Sequence, residues 1–70
     1  MTRLYEMVIE LHEEDSHIGD LCTAILTDMK FPKYENQENQ IIYLINLAEA
    51  MPNASYAIDD FIRMLIDEDL

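Results

Sequence analysis

The segment His12-Glu13-Glu14-Asp15-Ser16-His17 gathers both histidines of the chain around three carboxylates, and these are the residue types that ligate zinc or pass protons. Two imidazoles bind one metal from a helix only when they share a face. His12 and His17 stand five residues apart, which on a continuous helix turns them about 140° from each other. The segment also lacks the alternating oxygen ligands, central glycine and closing glutamate of a calcium loop. It reads as a solvated helix end and turn, and no metal or other cofactor is expected. Cys22 falls on an apolar stripe between Leu21 and Ile25, where a thiol behaves as a small core hydrophobe. Ser16 and Ser55 stand at helix caps, and there is no Gly-rich phosphate loop. With no acid/base pair and no nucleophile constellation, the chain is expected to be non-enzymatic.

Charge is the stronger signal. Fifteen acidic residues oppose four basic ones in 70, a formal charge of −11. Such a chain repels nucleic acid and anionic membranes, and its counterparts are basic protein surfaces or cations. Arg3, Lys30, Lys33 and Arg63 are scattered and form no basic patch. Half the residues are hydrophobic, which sets the chain apart from a disordered acidic tail. A single helical domain over residues 1–70 is expected, near the lower size limit at which one core suffices. One cysteine permits no internal disulfide. No apolar run approaches the roughly 20 residues of a membrane span, and no basic region followed by an apolar stretch opens the sequence. The expected compartment is the cytoplasm.

The elements follow from apolar spacing. Leu4, Met7, Val8 and Leu11 recur at i, i+3, i+4 and i+7, predicting an amphipathic helix from Thr2 to Glu14. Asp15 and Ser16 are N-cap types for a second helix carrying Ile18, Leu21, Cys22, Ile25 and Met29, which Phe31-Pro32 ends. Asn36 can cap a third with Ile41, Leu44, Ile45 and Ala48 on one face and Ile42 on a flank. Being apolar on both sides, that helix is expected to be the most buried and to offer more apolar surface than one small core encloses, so a homodimer is expected. Asn53 or Ser55 caps a fourth helix with Ile58, Phe61, Ile62, Leu65 and Ile66 facing inward. The lone Gly19 near the start of the second helix points to a close approach by a neighbour. Nothing reads as a strand, and the fold class is an all-α four-helix bundle.

Leu4-Tyr5, then Ile18, Leu21, Ile25, Asp28, the tripeptide Phe31-Pro32-Lys33, Ile42-Tyr43-Leu44 and Phe61 form a pattern that resembles the YozE family. Those are small bacterial and phage proteins with a four-helix fold similar to sterile alpha motif domains. The most specific element is the Asp-x-x-Phe-Pro-Lys junction. The resemblance implies a fold and carries over no activity or catalytic residues. Met64 and Leu65 stand where the family tends to show tryptophan and tyrosine, and the acidity exceeds that of a typical member, which suggests a specialised, phage-encoded relative.

The acidic surface suggests the function. Glu6 with Glu10, and Glu10 with Glu14, are like-charge pairs at i, i+4 on the expected first helix, each destabilising by about 0.2–0.5 kcal/mol. Asp67, Glu68 and Asp69 oppose the macrodipole at the end of the fourth. Residues four apart on a helix advance about 6 Å, so such a ridge makes a regular line of negative charge. The leading expectation is a DNA mimic, in which Glu6, Glu10, Glu13, Glu14, Asp60, Asp67, Glu68 and Asp69 occupy the basic surface of a DNA-binding protein and inhibit a host DNA-processing or defence protein. The alternative is a YozE-like interaction domain that binds through an apolar patch, its acidity serving solubility. Repulsion within the ridge is expected to raise its carboxyl pKa values, so that stability would grow as pH falls from 7 toward 5. Since the His/Glu cluster has the wrong spacing for one helical face, thermal melts with and without chelator should superimpose, and a chelator-dependent drop of several degrees would refute the metal-free reading.

Overall fold

The computed structural model describes residues 1–68. Four helices follow in order: α1 (Arg3–Leu11), α2 (His17–Thr27), α3 (Gln37–Ala50) and α4 (Ser55–Glu68), with a 3₁₀ turn at Pro52–Ala54 leading into α4. No strand occurs among the described residues. The fold is an all-α bundle in which α1 packs on α2, and α4 packs on both α2 and α3. Leu4, Met7 and Val8 of α1, Leu21, Cys22 and Ile25 of α2, Leu44 of α3, and Ala57, Ile58, Phe61 and Leu65 of α4 make one core, which Phe31 closes from the α2–α3 loop.

Three helix starts are set by side-chain caps. The Thr2 hydroxyl accepts from Tyr5 N–H at 3.1 Å, Ser16 from Gly19 N–H at 3.1 Å, and Asn36 from Asn39 N–H at 2.9 Å, each satisfying one otherwise orphaned donor. The fourth start differs from the sequence expectation. Neither Asn53 nor Ser55 caps by accepting a backbone N–H: Ser55 is already helical and donates its hydroxyl to the Pro52 carbonyl at 2.8 Å. The 3₁₀ turn runs directly into α4 and needs no separate cap.

Helix α1 is shorter than its apolar period predicts. It ends at Leu11, and the Glu14 N–H donates to the Leu11 carbonyl at 3.0 Å in a tight turn. The Thr23 hydroxyl of α2 donates to the His12 carbonyl at 3.0 Å, so packing against α2 satisfies a helix-end acceptor. Gly19 explains how the turn fits. A Cβ built there would lie 1.9 Å from the Glu14 carbonyl oxygen and 2.7 Å from its carbon. Only glycine lets the turn backbone rest on the first turn of α2.

The second departure concerns α3. Its fully buried side chains are Leu44 and Gln40, while Ile42 and Ile45 are 47% and 46% exposed. The helix expected to be the most buried lies on the outside, with one of its two apolar sides in solvent. The reason is the Gln40 amide, which donates to the Pro32 and Lys33 carbonyls at 3.2 and 3.4 Å and accepts from the Thr2 hydroxyl at 2.5 Å. A satisfied buried amide holds its place, whereas an unsatisfied one costs about 1–3 kcal/mol, so Gln40 fixes which side of α3 faces inward.

Replacing Gly19 by alanine forces the Glu14 backbone away, a strain of about 1–3 kcal/mol. The melting temperature of Gly19→Ala should fall by at least several degrees, and an unchanged melt would show that the turn is free to move.

Candidate functional site

The carboxylates nominated from sequence divide between two places, one where α1 meets α4 and one around the α1–α2 turn and the contact of α2 with α4. At the first, Arg3 in the first turn of α1 donates through Nε and Nη2 to both oxygens of the Glu68 carboxylate, the Nε contact being 2.6 Å. Its Nη1 lies 3.1 Å from Glu10 and 3.7 Å from Glu6. One guanidinium thus collects three carboxylates from two helices. The planar fork of arginine suits this bidentate grip, and the acids hold the guanidinium pKa above its usual value, Glu68 contributing most.

At the second stand His17, Asp60 and the α1–α2 turn. His17 Nε2 lies 2.8 Å from the Asp60 carboxylate, joining α2 to α4. His12 turns its Nδ1 to the Ile9 carbonyl at 2.6 Å, with Glu13 3.9 Å from the other ring nitrogen. The two histidines therefore serve different neighbours, and no group of three or more His, Cys, Asp or Glu among the described residues is placed to hold a metal.

The expected continuous ridge is corrected in two respects. Glu13 and Glu14 lie beyond the end of α1, so the Glu10–Glu14 pair is not a helical i, i+4 repulsion. Glu6 and Glu10 flank a shared cation instead of opposing each other bare. Glu68, expected to conflict with the helix dipole, is anchored by Arg3. Asp67 is exposed at the end of α4, and Asp69 lies outside the described residues. The sequence reading gave Arg3 only a scattered local role. Its position seven residues before Glu10 and at the start of a helix was the available signal.

Two carboxyls, Glu68 and Asp28, have pKa values lowered and not raised. The hydrogen bond from Arg3 lowers the pKa of Glu68. Asp28, at the end of α2, is lowered chiefly by a hydrogen bond from the Tyr43 hydroxyl, with help from the Lys30 N–H at 2.9 Å. The same bond raises the Tyr43 pKa. Burial pushes the Cys22 thiol up to about 11, the Glu14 charge adding to the effect. A fully buried, protonated thiol makes a poor nucleophile.

The residues behind the family resemblance have structural work here. Phe31 stacks on Tyr5 with ring centres 6.0 Å apart and meets Tyr43 edge-on at 5.4 Å, geometries that aromatic pairs favour. Asp28 holds Tyr43, and the carbonyls of Pro32 and Lys33 hold Gln40. Gln37 accepts from the Leu4 N–H at 2.9 Å, adding a second ligand to the start of α1. Sequence reading missed both glutamines, because an amide on a helix shows no preference for either face until its partners are known. Beside this network, Thr2, Tyr5, Lys33, Tyr34 and Glu35 line a hollow of about 630 Å³, in which the Lys33 ammonium sits 5.3 Å above the Tyr34 ring.

No protein-family model, curated protein or solved structure matches the chain. No helix among the described residues is long and apolar enough to cross a membrane.

The sign of the pH dependence follows from the two lowered carboxyls. A group whose folded pKa is depressed stabilises the fold above its unfolded pKa and loses that contribution as pH falls through the folded value. Stability should therefore hold between pH 7 and 5 and decline below about pH 4, where carboxyls of ordinary pKa take up protons. Denaturant midpoints across pH should show this, with a flatter acid limb in Tyr43→Phe and Arg3→Met. Growing stability from pH 7 to 5 would restore the repulsion account.

Proposed function

We propose that the chain is a non-enzymatic, acidic protein-binding module whose α1–α4 seam imitates a phosphate track and occupies the basic DNA-binding surface of another protein. The observation that supports this is the excess of acid on α1, the α1–α2 turn and α4. Glu6, Glu10 and Glu68 gather around a single guanidinium between α1 and α4, while Glu13 lies near His12 in the α1–α2 turn and Asp60 pairs with His17 across α2 and α4. Among the described residues, Arg3 is the one lysine or arginine within ion-pairing distance of a carboxylate. Glu68 and Asp60 are eight residues apart on α4, so the two groups lie about 12 Å apart along the helix, at 1.5 Å per residue. A protein that blocks a host DNA-processing or defence protein would use such a seam, and a phage-encoded YozE-like origin agrees with the helical fold. An apolar docking face is the second reading, favoured by the exposure of Ile42 and Ile45.

Proteins of a bacterial lysate retained on DNA–cellulose supply a pool of basic DNA-binding surfaces. At low salt the chain should elute a defined subset of them. Glu6→Lys/Glu10→Lys should elute less than Glu6→Gln/Glu10→Gln, mainly through slower association, and Glu35→Lys should weaken elution less than Glu6→Lys although the net charge is equal. Both lysine changes near Arg3 also remove its partners, so thermal melts accompany the comparison. Equal elution by the double lysine variant and the parent would sink the phosphate-mimic proposal.

A further inference from the structure

Helix α3 carries a surface that the acidic seam does not explain. Glu38, Ile42, Ile45 and Glu49 follow at i, i+4, i+7 and i+11 and are all exposed. At about 100° per residue these four fall within an arc of roughly 60°, and the glutamates stand about 16 Å apart along the axis. The outward face of α3 is thus two isoleucines bracketed by carboxylates. Ile42 and Ile45 are nearly half exposed, and Ile42 also lines a hollow of about 350 Å³ together with Lys30, Pro32, Glu35, Asn39, Tyr43 and Asn46.

Charge decides what fits there. If a second copy paired its isoleucines with these, an antiparallel arrangement would set Glu38 against Glu49, and a parallel one would set each glutamate against its equal. Both place like charges together at the rim of a small apolar contact between chains of formal charge −11, and like-charge juxtaposition at an interface is strongly unfavourable. A helix with lysine or arginine at both ends of an apolar pair meets the same stripe without conflict. We propose that the outward face of α3 is a docking site for a basic amphipathic helix of a partner protein, with two apolar residues seated on Ile42 and Ile45 and flanking cations on Glu38 and Glu49. This is helix-on-helix recognition read through i, i+4 and i+7 anchors. It does not depend on the α1–α4 seam, and either site can fail alone.

A stapled helical peptide bearing Lys, Leu, Leu and Lys at i, i+4, i+7 and i+11 on a neutral background is the probe, followed by the methyl resonances of the full chain. The Ile42 and Ile45 methyls should shift first. Affinity should fall by about tenfold or more in Ile42→Ser/Ile45→Ser and in Glu38→Lys/Glu49→Lys, a loss of roughly 1.4 kcal/mol for each factor of ten. Because these side chains are exposed, melting temperatures report whether each variant remains folded. A peptide with Glu, Leu, Leu and Glu should bind the Glu38→Lys/Glu49→Lys variant and not the parent. Four results would overturn the proposal: no binding, equal binding of a Lys, Ser, Ser and Lys peptide, shifts centred on the α1–α4 seam, or self-association through these isoleucines.

Discussion

The amide of Gln40 is the contact on which the arrangement turns. It is the one buried polar side chain of the described residues, and it joins three segments distant in sequence: Thr2 before α1, the Pro32-Lys33 loop after α2, and α3 itself. A buried amide must find partners for both its oxygen and its nitrogen, and the full set is met at this one position. Thr2 also caps α1. The bond that seats Gln40 therefore places the helix beginning at Arg3, and with it the guanidinium that reaches Glu68. Gln40 also sets the rotational phase of α3: Ile42 and Ile45 lie two and five residues on, about 160° and 140° around the helix from it, so burying the glutamine turns both outward.

Electrostatics in this chain is less uniform than its net charge suggests. Arg3 and Tyr43 each hold a carboxylate in its charged form, and these acids connect elements. Others, such as Glu38, Glu49 and Asp67, are exposed and make no ion pair among the described residues. The first group belongs to the fold and the second to the field around it. Exposed pairs contribute little individually because solvent screens them, so the Arg3 cluster matters more for aligning α1 with α4 than for raw stability. Its bidentate geometry supplies that alignment.

Four helices, their order and two of their caps, Ser16 and Asn36, were legible in the sequence, because apolar period and cap residues act locally. Both caps are short-range decisions made within three residues. The end of α1 was not legible. Its apolar period continues to Leu11 and acidic helix formers follow, and the stop comes from the turn that Gly19 admits and Thr23 stabilises. The phase of α3 was hidden for a related reason: with isoleucine and leucine on both sides, hydrophobicity alone offers no choice, and a polar residue with remote partners makes it. The acidic cluster was visible as composition. Its division into clasp and free charge depended on where Arg3 pointed.

On the two proposals, two kinds of surface on one small chain would divide the task of binding. A field from many exposed carboxylates reaches about 10 Å at 0.1 M salt and governs encounter, whereas residence depends on short-range contact at a desolvated centre. Carboxylates alone give fast, salt-sensitive, weakly selective association with any basic surface. The proposed Ile42–Ile45 docking stripe would offer an apolar contact, and the glutamates at its ends would disfavour helices of the wrong charge. Because Gln40 fixes the phase of that stripe through contacts inside the fold, the stripe is held in place before any partner arrives, and less ordering is then lost on binding.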